Sequence, residues 1–188
     1  MKEFSTKNNF CVFLTQADDL GRVVIPKEIR RTMRIHEGDP LEIFTNKDGE
    51  VIFKKYSAVG ELAGFSVEYA EALYKISGFS AAITDKDTII AVSGTGKKEL
   101  SEKKISSDIE EIMSDRTSLV SASKRSGAVK LTQENDKYHC YIVVPIISEG
   151  DVIGSVILYG TEERADLTET EDKLAITAAT VLGKIFEN

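Results

Sequence analysis

The chain has 188 residues, 24 Lys+Arg against 31 Asp+Glu, and a formal net charge of -7. Its length suits one or two compact domains, and 41% hydrophobic with 29% charged residues is ordinary for a globular protein, which excludes a disordered or fibrous chain. No apolar run approaches the roughly 20 residues of a membrane span. Phe10-Cys11-Val12-Phe13-Leu14 is shorter than the about 7–15 residues of a signal-peptide core, so a cytoplasmic location is expected.

The charge is unevenly spread. Residues 1–55 hold ten basic and nine acidic side chains, and residues 56–188 hold 14 and 22, so a near-neutral front precedes an acidic back. Within the front, Arg22, Lys27, Arg30, Arg31 and Arg34 face only Glu28 in residues 22–34.

Taken in chain order, residues 11–17 and 21–25 are predicted strands, rich in Val, Ile, Phe and Leu, separated by the turn Asp18-Asp19-Leu20-Gly21. Pro26 opens a short helix over Lys27 to Arg34, because proline suits a first helical position, whose N–H would be unpaired anyway. Glu37-Gly38-Asp39-Pro40 stops it, and His36 is placed at its end as a cap. Leu41 to Thr45 and Val51 to Phe53 make a hairpin around Asp48-Gly49, both of which accept positive φ. A module of about 45 residues rarely holds a core of its own, so oligomerisation is expected.

From Ser57 to Ser77 the apolar spacing becomes helical through Val59, Leu62, Ala63, Val67, Ala70 and Leu73, marking a linker helix and a candidate dimer seam. Strands follow at 79–84 and 88–92 around Asp85-Lys86-Asp87, then a helix at 105–113 and a polar, exposed loop at 121–137. A strand pair at 138–147 and 152–159 flanks Ser148-Glu149-Gly150-Asp151, and an amphipathic helix at 168–186 closes the chain. Antiparallel strands with flanking helices make an α+β domain. The expected division is 1–56, a linker helix at 57–78, and 79–188.

Lys27, Arg30, Arg31 and Arg34 are spaced three, one and three, which gathers them on one helical face, with Ile29 and Met33 turned to a core. Arginine suits phosphate and guanine recognition through its planar fork. A solvated basic face is the plainer alternative. The run Asp18-Asp19-Leu20-Gly21-Arg22-Val23-Val24-Ile25-Pro26-Lys27-Glu28-Ile29-Arg30-Arg31, followed by Arg34-Ile35-His36-Glu37-Gly38-Asp39-Pro40-Leu41-Glu42-Ile43, resembles the AbrB-type transition-state regulators. The resemblance implies a swapped-hairpin β-barrel shared by two chains that binds double-stranded DNA, with Arg22, Arg30 and Arg31 matching the family's DNA-contacting arginines. Lys27 and Arg34 join them by the helical-face argument. Thr15 and Gln16 stand where the family usually carries a basic pair.

The order of this module, a helix and an α+β domain resembles the sporulation regulators in which an AbrB-type module precedes a GAF domain. This implies a transcription regulator of forespore gene expression, assembled as a dimer or tetramer, with a GAF-like domain that could sense an unknown small molecule. Ser93-Gly94-Thr95-Gly96-Lys97-Lys98 is phosphate-friendly but lacks the G-x-x-x-x-G-K-[ST] spacing, so a plain turn competes with a ligand site at Ser93, Gly94 and Lys97. His139 and Cys140 are strand neighbours on opposite faces and make no dyad. Cys11 and Cys140 have no metal spacing, so no metal, cofactor or catalytic set is expected. The alternatives are a signalling or assembly protein with weakened DNA binding, motivated by Thr15-Gln16, and an antitoxin-like swapped-barrel partner.

Overall fold

The computed structural model describes residues 4–6, 10–12, 15–61, 63–120, 129–134, 137–162 and 167–187. They form two compact units, 1–56 and 57–188.

In the first unit, β1 (Phe4–Thr6) and β2 (Phe10–Val12) pair antiparallel. The strands expected at 11–17 and 21–25 do not form along their length. Residues 11–12 pair with β1 instead, and between the two segments the described residues show one bridge, Ala17 opposite Val23, with the Thr15 hydroxyl donating to the Val24 carbonyl at 3.1 Å. Ladder formation needs a neighbouring edge along the whole strand, and Val23 and Val24 instead lie 43% and 72% exposed. Helix α1 (Lys27–Thr32) begins after Pro26. Strands β3 (Leu41–Thr45) and β4 (Val51–Lys55) pair antiparallel, Leu41 opposite Lys55 and Thr45 opposite Val51. Their connection is wider than a two-residue turn. The Asn46 side-chain carbonyl accepts the Asp48 and Glu50 N–H groups, and only Gly49, at φ +81°, takes the left-handed conformation expected of both Asp48 and Gly49. No residue of 15–56 is buried.

The second unit has a core. Helices α2 (Ala58–Glu61) and α3 (Ala63–Ser77) lead into β5 (Ser80–Thr84) and β6 (Ile89–Ser93). Next come α4 (Lys97–Leu100), α5 (Ser107–Ser114), β7 (Leu119–Val120) and β8 (Val129–Lys130). Two ten-residue strands, β9 (His139–Ser148) and β10 (Asp151–Gly160), precede α6 (Glu169–Ile185). The antiparallel sheet runs β6-β5-β10-β9-β7, with β8 also on β9. Side chains alternate across it with the two-residue period of a strand. Ala81, Ile83, Val156 and Leu158 join Leu73 of α3 and Leu182 of α6 on one face. Ala82, Ile157 and Tyr159 join Ile109 and Met113 of α5 on the other. Both faces are covered, so these strands read as continuous apolar runs.

Local sequence explains the helix boundaries. Thr168 and Glu171 make a reciprocal capping box at the start of α6, and the Ser106 side chain accepts the Ile109 N–H at the start of α5. The helix read as a linker at 57–78 puts Val59, Ala70 and Leu73 into the core of the second unit. The loop read as exposed over 121–137 is corrected in part: Val129 pairs with Cys140, and Leu131 and Thr132 are buried. An apolar side chain at every second position, Val129 and Leu131, drives that short segment onto the sheet. Residues 121–128 and 135–136 of that loop lie outside the described residues.

Candidate nucleic-acid interface

The basic surface is built by a turn and a short helix. Residues 18–22 fold back on themselves: the Asp18 N–H donates to the Arg22 carbonyl, and the Gly21 N–H to the Asp18 carbonyl, both at 3.0 Å. Gly21 takes φ +75°, where a side chain would be strained. The Asp18 carboxylate closes the turn a second time. Its Oδ1 accepts the N–H groups of Leu20 and Arg22, and its Oδ2 accepts Arg22 Nε at 2.7 Å. The Arg22 side chain stays 72% exposed.

Lys27, Arg30 and Arg31 are exposed on α1, as the spacing predicts, and Ile29 is half-buried beneath them. Arg30 and Arg31 fall in the last turn of α1, where positive charge complements the helix dipole. Arg34 does not belong to that helical face. The helix ends at Thr32, the Ile35 N–H reaches the Arg30 carbonyl at 2.8 Å, and Arg34 takes φ +52°. These bonds form the Schellman ending usually completed by glycine, and the reversed residue leaves the helical face. Met33, expected to anchor the helix, is 40% exposed.

His36 does not cap α1. Its N–H donates to Asp39 Oδ2 at 2.9 Å, and Nδ1 lies 3.5 Å from the same oxygen. Lys55 Nζ sits 3.2 Å from that oxygen and donates to the Arg34 carbonyl at 2.9 Å. Asp39 thus ties the end of β4 to the loop that carries the basic helix. Burial pushes its carboxyl pKa up, but the His36 N–H and the Lys55 ammonium outweigh this and leave it below the usual carboxylate value. The two aspartates were not read as parts of the site. Each was legible only as turn material, although Asp18-x-x-Gly-Arg22 holds the spacing that lets a carboxylate reach an arginine four residues on.

In the second unit, Ser93 is buried, Gly94 is half-buried and Lys97 is exposed. The turn between them is held from three sides. The Tyr159 hydroxyl donates to the Thr95 carbonyl at 2.6 Å, the Thr95 N–H donates to Ser80 Oγ at 2.9 Å, and the Tyr138 hydroxyl donates to Glu99 at 2.8 Å. The Tyr138 and Tyr159 rings meet edge to face with centroids 5.8 Å apart. A side chain at Gly94 would crowd Ser80, and one at Gly96 would crowd the Tyr138 ring. Cys140 is buried on the same face, where desolvation, with a contribution from Asp108, drives its thiol pKa far up. Among the described residues, no three His, Cys, Asp or Glu side chains gather as metal ligands. No described helix is long and apolar enough to cross a membrane.

Comparison with known proteins places both units. Residues 61–187 match the family described as stage V sporulation protein T C-terminal, transcription factor. Stage V sporulation protein T of Bacillus subtilis (strain 168) is 48% identical over 171 residues, covering 90% of this chain and 94% of that protein. The chain belongs to the stage V sporulation protein T family.

Membership in the stage V sporulation protein T family makes the chain a sporulation transcription factor with an AbrB-type front module. The front also matches, over residues 14–59, the family described as antidote-toxin recognition MazE, bacterial antitoxin. The transition state regulatory protein AbrB of the same organism is 56% identical over 41 residues, 22% of this chain and 42% of that protein. The back unit has the fold of a GAF domain. The GAF domain of a phosphoenolpyruvate-protein phosphotransferase from Coxiella burnetii superposes with a TM-score of 0.53 at 15% identity, covering 65% of this chain and 80% of that one. That likeness concerns the fold.

Proposed function

We propose that residues 1–56 bind double-stranded DNA as a homodimeric head, through Arg22, Lys27, Arg30 and Arg31 with Arg34 at the margin. The unit 79–188, joined through the helix at 57–78, would link such dimers into tetramers and set promoter output in the forespore cytoplasm. The carrying observation is a basic surface on a unit that buries none of its residues 15–56. Leu20, Val24, Ile43 and Val51 are each more than half exposed, an apolar area that a second copy would cover. A small ligand acting on the GAF-like unit would approach Ser93 and Gly94 from the Lys97 side, the exposed end of that turn.

The test is gel-shift titration of the full chain against Arg30→Ala/Arg31→Ala. Loss of a base contact costs about 1–3 kcal/mol, and loss of a phosphate contact lowers the salt dependence. Unchanged affinity and unchanged salt slope in the double variant would remove this surface from the proposal. Binding to a nonspecific duplex no tighter than that of an acidic control protein would favour the assembly reading that Thr15 and Gln16 suggest.

A further inference from the structure

We infer that Asp18 is a positioning residue for Arg22, fixing its guanidinium for end-on reading of a guanine rather than for loose attraction to phosphate. The inference rests on the proposed DNA surface and deepens it.

An arginine has two hydrogen-bonding edges. One is the side edge formed by Nε and a terminal nitrogen, and the other is the end formed by both terminal nitrogens. Here Nε is committed to Asp18 Oδ2 at 2.7 Å. The other oxygen, Oδ1, is taken by the N–H groups of Leu20 at 3.0 Å and Arg22 at 2.8 Å. The carboxylate therefore grips the backbone and the side chain of the same residue. What remains outward is the end pair, on a side chain that is 72% exposed. That pair matches the O6 and N7 acceptors of guanine in the major groove.

Two arguments favour a base over a phosphate. A held side chain has surrendered its rotamer freedom on folding, which sharpens geometric discrimination. A carboxylate beside the guanidinium also offsets its charge, and Asp19 adds a second negative group to the turn. Both weaken the long-range pull on phosphate while leaving the hydrogen-bond pattern intact. The Asp18 carboxyl is held below the usual carboxylate range, first by the Arg22 N–H and then by its guanidinium, so the grip persists at neutral pH.

The test uses the full chain and two 20-base-pair duplexes: the one that wild-type protein enriches from a random pool, and a scramble of equal composition. Asp18→Asn keeps an oxygen for the Leu20 and Arg22 N–H groups but presents an amide N–H₂ to Nε, releasing the guanidinium. The expected result is a roughly tenfold fall in the ratio of specific to scrambled affinity, with scrambled affinity unchanged or raised. Arg22→Lys, which keeps the charge without the planar fork, should lose the ratio in the same way. In an Arg22→Ala background Asp18→Asn should change nothing further.

Equal losses on both duplexes, an effect that survives in Arg22→Ala, or a full ratio in Arg22→Lys would each overturn the inference. If Arg22→Ala leaves binding intact while Arg30→Ala/Arg31→Ala abolishes it, only this inference fails. If neither matters, the proposed surface fails with it.

Discussion

Gly183 lies on the buried side of α6, where the helix meets β9 most closely. Replacing a helical glycine by alanine ordinarily stabilises by about 0.5–1 kcal/mol, because the unfolded chain loses freedom. Here the new Cβ would run into the carbonyl oxygen of Ile147, with the carbonyl carbon 3.2 Å away. A backbone carbonyl in a paired strand cannot rotate aside, so the helix must retreat. Ala175, Ala178, Ala179 and Leu182, the other buried residues of α6, would retreat with it. Overpacking of this kind costs about 1–3 kcal/mol, and with a backbone obstacle the upper end applies. The net effect of Gly183→Ala is then a loss of about 2 kcal/mol, or roughly 4–8 °C in Tm for a domain of this size. Gly64, near the start of α3, is the matched control, since nothing lies within 4 Å of its added Cβ. Gly64→Ala should stabilise by about 0.5 kcal/mol. Calorimetry with urea unfolding of the full chain gives both values. A Gly183→Ala protein that melts at or above wild type would refute the close-approach argument.

Other tests reach the remaining parts. Asp39→Asn should loosen the segment from His36 to Lys55, read as faster amide exchange there. Because the Asp39 pKa is lowered in the folded state, its contribution is fully present above the ordinary carboxyl value of 3.8. It disappears as pH falls through the folded value, so the gap between wild type and variant should close in strong acid. The buried Thr84 and Ser155 hydroxyls lie 2.7 Å apart, and Thr84 Oγ1 also accepts the Ser155 N–H. Thr84→Val should cost about 1–3 kcal/mol by chemical denaturation, and the double variant with Ser155→Ala should recover part of it. Cys140, buried with a raised thiol pKa, should resist a thiol reagent in a Cys11→Ser background until the second unit unfolds.

The back unit was legible because its residues obey one period at a time. Strand expectations at 138–147 and 152–159 became His139–Ser148 and Asp151–Gly160, and the last helix expected at 168–186 became Glu169–Ile185. Thr168, with Glu171 three residues on, announces that helix chemically. The front unit was less legible, since its elements are short and none of its residues 15–56 is buried. Helical spacing put Arg34 beside Arg30 and Arg31, but spacing cannot see that the backbone reverses at Arg34, a residue type that rarely takes φ +52°. The clasp of tyrosines on the Thr95 to Glu99 segment was invisible for another reason. Tyr138, Tyr159 and Ser80 converge from three strands or strand ends, and no local pattern announces such a meeting. The basic candidates Arg22, Lys27, Arg30 and Arg31 were legible because local turn and helix chemistry alone places them at the surface.

A front unit that buries none of its residues 15–56 has a genetic consequence. Under the dimeric reading, the head that meets DNA is not the property of either chain. A cell that makes one intact and one Arg30→Ala/Arg31→Ala copy in equal amounts would build only about a quarter of its heads from two sound chains, by random pairing. A lesion that spares folding would therefore be dominant, whereas one that removes the whole chain would be recessive, because an absent chain cannot spoil its sister.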